Sequence, residues 1–150
     1  MRAVVIRTSG ASLRVNGQDH ARIGRGLVVL LGVTQTDGEK EATYLAEKCA
    51  GLRIFEDENG KTNLSLADVG GELLVISQFT LYADCKKGNR PSFVKAGAPD
   101  MAEHLYEHFM ERCRNYVDVV EKGQFGADMK VELLNDGPFT LMLESEQLFK

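Results

Sequence analysis

Hydrophobic and polar residues alternate near the start of the chain, and this period of two predicts β-strands over residues 2–7 and 11–15. The Asn16-Gly17 pair that follows is the strongest short signal for a hairpin turn. Residues 22–33 form a nearly continuous apolar run rich in β-branched side chains, which predicts a buried strand. The apolar run from Leu73 to Phe79 predicts another buried strand.

Two segments have apolar side chains at the three- and four-residue spacing of an amphipathic helix. The first covers residues 37–51, and the string Thr36-x-x-Glu39 predicts a capping box at its start. The second covers about 99–115. Two final strands, over about 129–135 and 139–144, are predicted on either side of a Gly-Pro turn.

These elements predict a single α/β domain over residues 1–150, whose core is a mixed, largely antiparallel and barrel-like sheet covered by two main helices. No apolar stretch approaches the ~18 residues of a membrane span, and no apolar signal-peptide region follows Met1. The cysteines, Cys49, Cys85 and Cys113, include no CxxC pair and suit a reducing compartment. We therefore expect a cytoplasmic protein with no membrane partner.

Charge is unevenly distributed along this chain, which has a net charge of −4 and a pI near 5.4. The overall acidity argues against a protein that coats nucleic acid. Residues 1–25 nevertheless hold five arginines and one acid, and residues 85–95 hold four cations and no acid. Two basic regions on an acidic body suit the binding of one end of a polyanion, with ordinary solvated cations as the alternative.

The string from His104 through Glu107 to His108 matches a zinc-binding pattern in which two histidines share one helix face. It is predicted opposite the apolar face of its helix, on a solvent-exposed side rich in glutamate. No later helix offers an obvious third ligand. A zinc hydrolase is therefore an alternative that the pattern allows without favouring, and we expect no metal and no cofactor.

The segment Ser77-Gln78-Phe79-Thr80 places polar side chains at the end of a predicted buried strand. Burying them there costs free energy unless they form hydrogen bonds or take part in the protein's function. Thr80 would need a base in order to act as a nucleophile, and the sequence places no histidine to serve. Backbone N–H groups acting as an oxyanion hole would need no titratable residue. The alternative is that these hydroxyls only form hydrogen bonds with backbone groups at the end of the strand.

Two loops complete the candidate chemistry. One holds Lys87 and Arg90 on a backbone shaped by glycine and proline, and arginine suits bidentate contact with phosphate. The other contains Gly137-Pro138, which marks a turn or an edge because proline cannot donate a ladder hydrogen bond. Since X-Pro bonds are cis in only ~5–6% of folded cases, these residues alone predict a trans peptide bond.

Taken together, these strings resemble the D-aminoacyl-tRNA deacylase family. Four segments carry the resemblance in the family's order: the opening MRAVVIRTSGASLRVNG, SQFTLYADCKKGNRPSF at 77–93, GQFGADM at 123–129 and NDGPFT at 135–140. The resemblance covers essentially the whole chain. Phe139 departs from the pattern, because the family usually has a small β-branched residue there.

The resemblance implies a cytoplasmic homodimer with active sites at its interface. It would hydrolyse the ester between a D-amino acid and the 3′-terminal adenosine of tRNA, and also glycyl-tRNA, including glycine mischarged on alanine tRNA. The chemistry would belong to the RNA, whose terminal 2′-OH assists, with no side-chain nucleophile. A tRNA-binding module that does not cleave the ester is the second alternative.

The resemblance also assigns roles to individual residues. Ser77 matches the substrate-binding start of the active-site strand, and Gln78, Phe79 and Thr80 match its catalytic part. Gly137-Pro138 matches a Gly-cis-Pro motif that enters the active site of the opposite subunit and rejects L-amino acids. Residues near that motif are matched by Arg7, Phe125 and Met129, and the RNA-binding cations would be Lys87 and Arg90.

Overall fold

One long strand organises the sheet. The computed structural model describes residues 1–149, and its first strand, β1 (Arg2–Val15), is continuous where the alternation predicts two strands. The first half of β1 pairs antiparallel with β3 (Gly26–Gly32), and its second half pairs antiparallel with β2 (Gln18–Ile23). The predicted turn at Asn16-Gly17 joins β1 to β2, and both of its residues have positive φ angles.

The apolar run 22–33 is divided between β2 and β3, so the single strand predicted there is wrong. β3 begins at a close contact, since a Cβ on Gly26 would lie 1.7 Å from the carbonyl oxygen of Glu72. Only glycine allows the backbones to approach this closely. Two further contacts fasten the same point: Gly24 N–H donates to the Glu72 carboxylate, and Glu72 N–H donates to Arg25 O.

The rest of the sheet confirms a mixed and largely antiparallel architecture that is nearly closed into a barrel. Strand β6 (Glu72–Ser77) runs parallel to β3, and β7 (Val120–Lys122) runs parallel to β6. On the other side, β8 (Met129–Glu144) pairs antiparallel with β1 as one strand where two are predicted. A separate hairpin consists of β4 (Phe55–Glu56) and β5 (Thr62–Leu64).

Two main helices cover this sheet, as predicted. They are α1 (Glu39–Gly51) and α2 (Pro99–Cys113), and the short α3 (Ser145–Leu148) follows β8. The capping box predicted at Thr36 is wrong, because a turn closed by Asp37 N–H on Thr34 O delays the start of α1. The box forms instead at Gly38, whose N–H donates to the Glu41 carboxylate at 2.8 Å.

The core lies between the sheet and the helices. Its largest buried side chains include Leu45, Phe55, Tyr106 and Phe109. Cys49 and Cys113 are buried there, and burial raises the pKa of both thiols, that of Cys113 to about 12. None of the helices formed by residues 1–149 is long and apolar enough to cross a bilayer.

Candidate active site

A pocket of about 590 Å³ opens where the two central parallel strands end. Ser77, Gln78 and Phe79 line it at the carboxyl end of β6, and Val33 lines it just beyond the end of β3. Ligands in sheets of this kind bind beyond the carboxyl ends of the strands. The opposite wall consists of the segment 125–129, and the floor includes the start of α2.

The lining is apolar and poor in titratable groups. Among its residues, all of which lie within 1–149, Asp128 is the only one with an ionisable side chain. That carboxylate is 73% exposed and accepts hydrogen bonds from Lys130 Nζ at 3.0 and 3.1 Å. A carboxylate that is solvated and ion-paired in this way is a poor general base. Chemistry in this pocket must therefore use backbone groups, neutral side chains or the substrate itself.

The strand predicted over 73–79 ends earlier than expected, at Ser77. The chain then turns into a short 3₁₀-helix, Phe79–Tyr82, after Gln78 N–H has donated to Leu31 O at 2.8 Å. The first N–H groups of a helix have no acceptor inside it, so those of Phe79 and Thr80 are free of the helix's own hydrogen bonds. They stand beside the pocket as candidate donors to an oxyanion.

Thr80 lies at the rim and is not among the residues that line the pocket. Its hydroxyl accepts a hydrogen bond from Gln78 Nε2 at 2.5 Å. Among the hydrogen bonds of the described residues, none joins this hydroxyl to a titratable side chain. The geometry therefore gives Thr80 a donor to hold it and no base to activate it.

Phe125 and Met129 belong to the pocket, together with Ser77, Gln78 and Phe79. Phe125 packs against Tyr106, with ring centroids 6.1 Å apart. Phe125 and Met129 do not lie near Gly137-Pro138 of the same chain, so their expected closeness to that motif stays a prediction for the opposite subunit. Gly137 lies eight positions after Met129 in β8, which is roughly 26 Å of strand at about 3.3 Å per residue.

Gly137-Pro138 forms the tip of a bulge in β8. The register of β8 against β1 jumps from Asn135 opposite Thr8 to Thr140 opposite Ile6, so residues 136–139 project from the ladder. The peptide bond is cis, contrary to the trans bond that the residues alone predict and in agreement with the resemblance. Both residues are exposed to solvent.

The side chain of Asn135 closes the base of this bulge. Its Oδ1 accepts a hydrogen bond from Phe139 N–H at 2.7 Å, and its Nδ2 donates to Thr140 Oγ1 at 2.7 Å. Gly137 has a φ of +142°, a conformation that side chains rarely adopt, and a Cβ there would lie 2.9 Å from Phe139 N. The shape of the bulge therefore depends on both Asn135 and Gly137.

Arg7 lies behind the bulge, next to the motif, as the resemblance implies. It is buried, its Nε donates to Asp136 O at 2.9 Å, and its second donor reaches Ile54 O at 2.7 Å. The guanidinium also lies 4.6 Å from the ring centroid of Phe139, within the range of a cation–π contact. Phe139 thus has a specific packing role here, although it departs from the family's usual residue.

Lys87 and Arg90 lie outside the pocket, on an exposed loop. Two backbone hydrogen bonds between Asp84 and Ser92 close this loop. The Lys86 N–H, the largest cause, and the Lys95 ammonium together lower the pKa of the Asp84 carboxyl. The loop connects the 3₁₀-helix to α2, and its second end lines the pocket through Ala96 and Gly97.

The three residues of the zinc-like string bind three different partners. His104 Nε2 is 2.9 Å from Glu39 Oε1, and His108 Nε2 is 2.8 Å from Thr43 Oγ1, both on α1. Glu107 accepts a hydrogen bond from Lys122 Nζ at 3.0 Å. Within residues 1–149 no group of three metal-ligating side chains comes together. The side chains do not converge, so the zinc-hydrolase alternative gains no support from the geometry.

Comparison with known proteins identifies the family. The family described as D-Tyr-tRNA(Tyr) deacylase matches residues 4–144. The chain belongs to this family. It is 54% identical over 149 residues to the D-aminoacyl-tRNA deacylase of Thermosipho africanus, covering 99% of this chain and all of that protein. It is 57% identical to the D-aminoacyl-tRNA deacylase of Desulfatibacillum aliphaticivorans, covering 97% of this chain and all of that protein.

Solved structures share the fold of this deacylase family member. The structure of a c-Myc DNA Unwinding Element Binding Protein superimposes with a TM-score of 0.90 at 43% identity, over 96% of this chain and 98% of that one. A probable eukaryotic D-amino acid tRNA deacylase superimposes with a TM-score of 0.83 over 95% of this chain and 97% of that one. The second, at 20% identity, supports the fold alone.

Several residues of the deacylase pocket were not predicted. Val33, Ala96, Gly97 and Ala102 line it, and they are small or apolar residues with no chemical signature of their own. A topological signal existed for Val33, because it follows a strand that runs parallel to β6. Asn135 was likewise missed as a support of the bulge, although an asparagine next to a turn commonly hydrogen-bonds to nearby backbone.

Proposed function

We propose that this member of the D-aminoacyl-tRNA deacylase family cleaves the ester that joins a D-amino acid or glycine to the 3′-terminal adenosine of tRNA. Glycine mischarged on alanine tRNA is included. The products are free tRNA and the free amino acid, so the reaction is a form of proofreading. One observation carries the proposal. The chain has an apolar pocket whose lining offers no suitable general base, and it also has an exposed Gly-Pro bulge that is too far away to reach that pocket.

Catalysis by backbone and substrate follows from the composition of the pocket. Water adds to the ester carbonyl carbon, the bond to the 3′-oxygen breaks, and that oxygen leaves with a proton. The N–H groups of Phe79 and Thr80 are suited to stabilise the developing oxyanion, and Ser77 and Gln78 to orient the ester. The terminal 2′-OH of the tRNA assists in place of a protein base. Good positioning alone can supply about 7–11 kcal/mol of the barrier.

We place the active site at the interface of a homodimer, in which the bulge of one copy enters the pocket of the other. The exposed edge of β8 supports this assembly. In the described residues β8 pairs only with β1, and its outward side chains include Leu134 at 68% and Met142 at 52% exposure. Apolar side chains exposed on a strand edge commonly mark a contact with another chain.

The proposed selectivity is rejection of L-amino acids and not recognition of each D side chain. A D and an L residue differ only in the exchange of hydrogen and side chain at one carbon. A pocket that accepts many D side chains cannot discriminate by fitting each of them. Backbone held where an L side chain would project can exclude it, and Arg7 and Asn135 hold the Gly137-Pro138 backbone in that way. Glycine has no side chain to exclude and is therefore hydrolysed.

The acceptor end of the tRNA is proposed to lie along the loop that carries Lys87 and Arg90. Both cations are exposed, and one end of their loop lines the pocket through Ala96 and Gly97. Phosphate contacts of this kind add affinity without sequence preference. They suit an enzyme that must act on many tRNAs.

The decisive experiment compares two tRNAs charged with the same D-amino acid, one ending in adenosine and one in 2′-deoxyadenosine. We expect the unaltered protein to cleave the first and to be severely slowed on the second. Thr80→Ala should slow the first reaction by at most ~10²–10³-fold, the usual cost of one oxyanion-hole contact. Full-speed cleavage of the 2′-deoxy substrate, or a covalent aminoacyl-threonine, would overturn the mechanism.

A further inference from the structure

Two phenylalanines form an exposed aromatic surface at the mouth of the pocket. Phe79 is 55% exposed and Phe93 is 38% exposed, and their rings meet edge to face with centroids 5.1 Å apart. Phe79 belongs to the pocket lining, whereas Phe93 lies outside it. The pair, here called the aromatic step, therefore leads out of the pocket onto the surface. Large apolar side chains exposed together in this way usually mark a binding site.

The backbone around Phe93 is held from several directions. Ser92 exchanges two backbone hydrogen bonds with Asp84. On the other side of Phe93, the carbonyl of Val94 accepts from Gln35 Nε2 and the carbonyl of Lys95 accepts from Thr34 Oγ1. An exposed aromatic ring on a fixed backbone loses little conformational entropy when a ligand stacks on it. The aromatic step is thus organised before any ligand arrives.

The charge around the aromatic step indicates an anionic ligand. The loop that carries Phe93 also carries four cations, Lys86, Lys87, Arg90 and Lys95. Its one carboxylate in contact with them is Asp84, which lies 3.5 Å from Lys95 Nζ. Exposed aromatic rings beside a cationic loop are the combination that binds single-stranded nucleic acid, through base stacking and phosphate contact.

We propose that the aromatic step stacks the base of the penultimate nucleotide at the 3′ end of tRNA, while the terminal adenosine and its amino acid occupy the pocket. The proposal rests on the proposed function, which puts the terminal ester in the pocket. A single-stranded 3′ end leaving the pocket past Phe79 would meet the adjoining Phe93, which shares its loop with Lys87 and Arg90. Stacking accepts any base, so it would serve every tRNA.

The test is a cycle that removes the aromatic ring, the base, or both. The substrates are D-aminoacyl-tRNA with a normal penultimate nucleotide and the same tRNA with an abasic one. On normal tRNA, Phe93→Ala should lower kcat/KM about 5- to 160-fold, which corresponds to ~1–3 kcal/mol for one stacked base at 1.36 kcal/mol per tenfold. On abasic tRNA the unaltered protein should lose a similar factor, and Phe93→Ala should add little. Non-additivity of this kind reports direct contact.

Two further variants separate stacking from loop structure. Phe93→Trp should retain most of the activity on normal tRNA, because it keeps an aromatic face, and Phe93→Leu should behave like Phe93→Ala. Thermal unfolding and sedimentation of all variants check folding and assembly. If the losses on normal and abasic tRNA are equal, the stacking proposal is wrong. A loss that accompanies a change in oligomeric state would show instead that the aromatic step is covered by a second copy of the chain.

Cleavage of D-aminoacyl-adenosine, which has no penultimate nucleotide, separates this proposal from the one on which it rests. If the unaltered protein cleaves neither the adenosine ester nor the tRNA, the proposed function fails. If it cleaves both, and the advantage of tRNA over the adenosine ester is the same in Phe93→Ala as in the unaltered protein, the aromatic step fails while the proposed function stands.

Discussion

The two ends of β8 contrast in form and in construction. At one end, Met129 lines a concave apolar pocket together with residues that follow the carboxyl ends of β3 and β6. At the other end, Gly137-Pro138 projects from the strand as an exposed bulge. The pocket is assembled from several distant segments of the chain, whereas the bulge lies within one strand and is held by Asn135 of that strand and by Arg7 of β1.

Under the proposed function, this contrast teaches how one chain could supply two complementary halves of a site that it would complete only with a second copy. Roughly 26 Å of strand separates the halves, at about 3.3 Å per residue. A stiff, two-stranded ladder with β1 lies between them, so they cannot meet within the chain. The proposed twofold assembly along the edge of β8 would bring unlike ends of two chains together, since in a twofold interface residue i of one chain contacts residue j of its copy and j contacts i.

The largest expected effect tests the bulge. Pro138→Ala removes the ring against which an L side chain would clash, so it should raise the cleavage of L-aminoacyl-tRNA by about 10³-fold. This corresponds to about 4 kcal/mol of lost discrimination, at 1.36 kcal/mol per tenfold. Cleavage of D-aminoacyl-tRNA and glycyl-tRNA should change little. The measurement is kcat/KM on the three substrates in parallel.

Mixed dimers decide whether the bulge acts in its own chain or in the other. In one dimer, one chain carries Pro138→Ala and the other carries Thr80→Ala, so the intact pocket faces the intact bulge. In the second dimer, one chain carries both changes and the other is unaltered, so the intact pocket faces the altered bulge. The second should cleave L-aminoacyl-tRNA faster than the first, by the factor that Thr80→Ala alone costs on D-aminoacyl-tRNA. The opposite pattern would place the filter within one chain and break the comparison.

The next effect tests the support of the bulge. Arg7→Met keeps the side chain's length and removes the donors to Asp136 O and Ile54 O. Because buried carbonyls then lose their hydrogen bonds, the free energy of unfolding should fall by about 2–4 kcal/mol. Discrimination against L-amino acids should weaken as well. Urea denaturation measures the first effect and substrate competition measures the second.

Arg14→Met is the matched control for this change. Arg14 is half exposed and pairs with Asp19 and Glu132 at the surface. Surface ion pairs of this kind contribute about 0–1 kcal/mol, so the control should lose no more than that. Equal losses in the two variants would show that Arg7 has no special role behind the bulge.

A smaller effect tests the loop beside the pocket. Lys87→Ala and Arg90→Ala should each weaken tRNA binding to a similar extent for all tRNAs. Each should also reduce the slope of log affinity against log salt by ~0.7–0.9 if one phosphate contact is lost. Lys61→Ala, an exposed cation elsewhere on the chain, is the control. An unchanged slope would show that RNA binds elsewhere, with the arginine-rich first 25 residues as the next candidate surface.

The smallest expected effect tests whether the histidines of α2 take part in catalysis. The double change His104→Ala and His108→Ala removes contacts with Glu39 and Thr43 on α1. Deacylation should stay near the unaltered rate, and a chelator should have no effect. Activity that is lost to the chelator and restored by zinc would contradict the assignment of the site to the pocket and bulge.

Patterns along the chain predicted the elements well where the determining interactions are local. The period-two alternation of β1, the turn at Asn16-Gly17 and the apolar faces of α1 and α2 all appear in the structure. Two predictions were wrong for different reasons. The start of α1 was misplaced because a local turn, closed by Asp37 N–H on Thr34 O, was not recognised. The single strand over 22–33 was wrong because this stretch packs against Glu72, which is distant in sequence, as Gly26 does.

The sequence by itself determined the family, the class of fold and most of the residues proposed for the site, because short motifs such as SQFT and NDGPFT keep chemical groups in fixed local order. Only the tertiary structure decided that Phe125 and Met129 belong with Ser77–Phe79 and not with Gly137-Pro138. It also decided that Arg7 lies behind the bulge. The physical reason is that strand pairing brings together residues far apart in the chain and holds neighbours along one strand far apart in space.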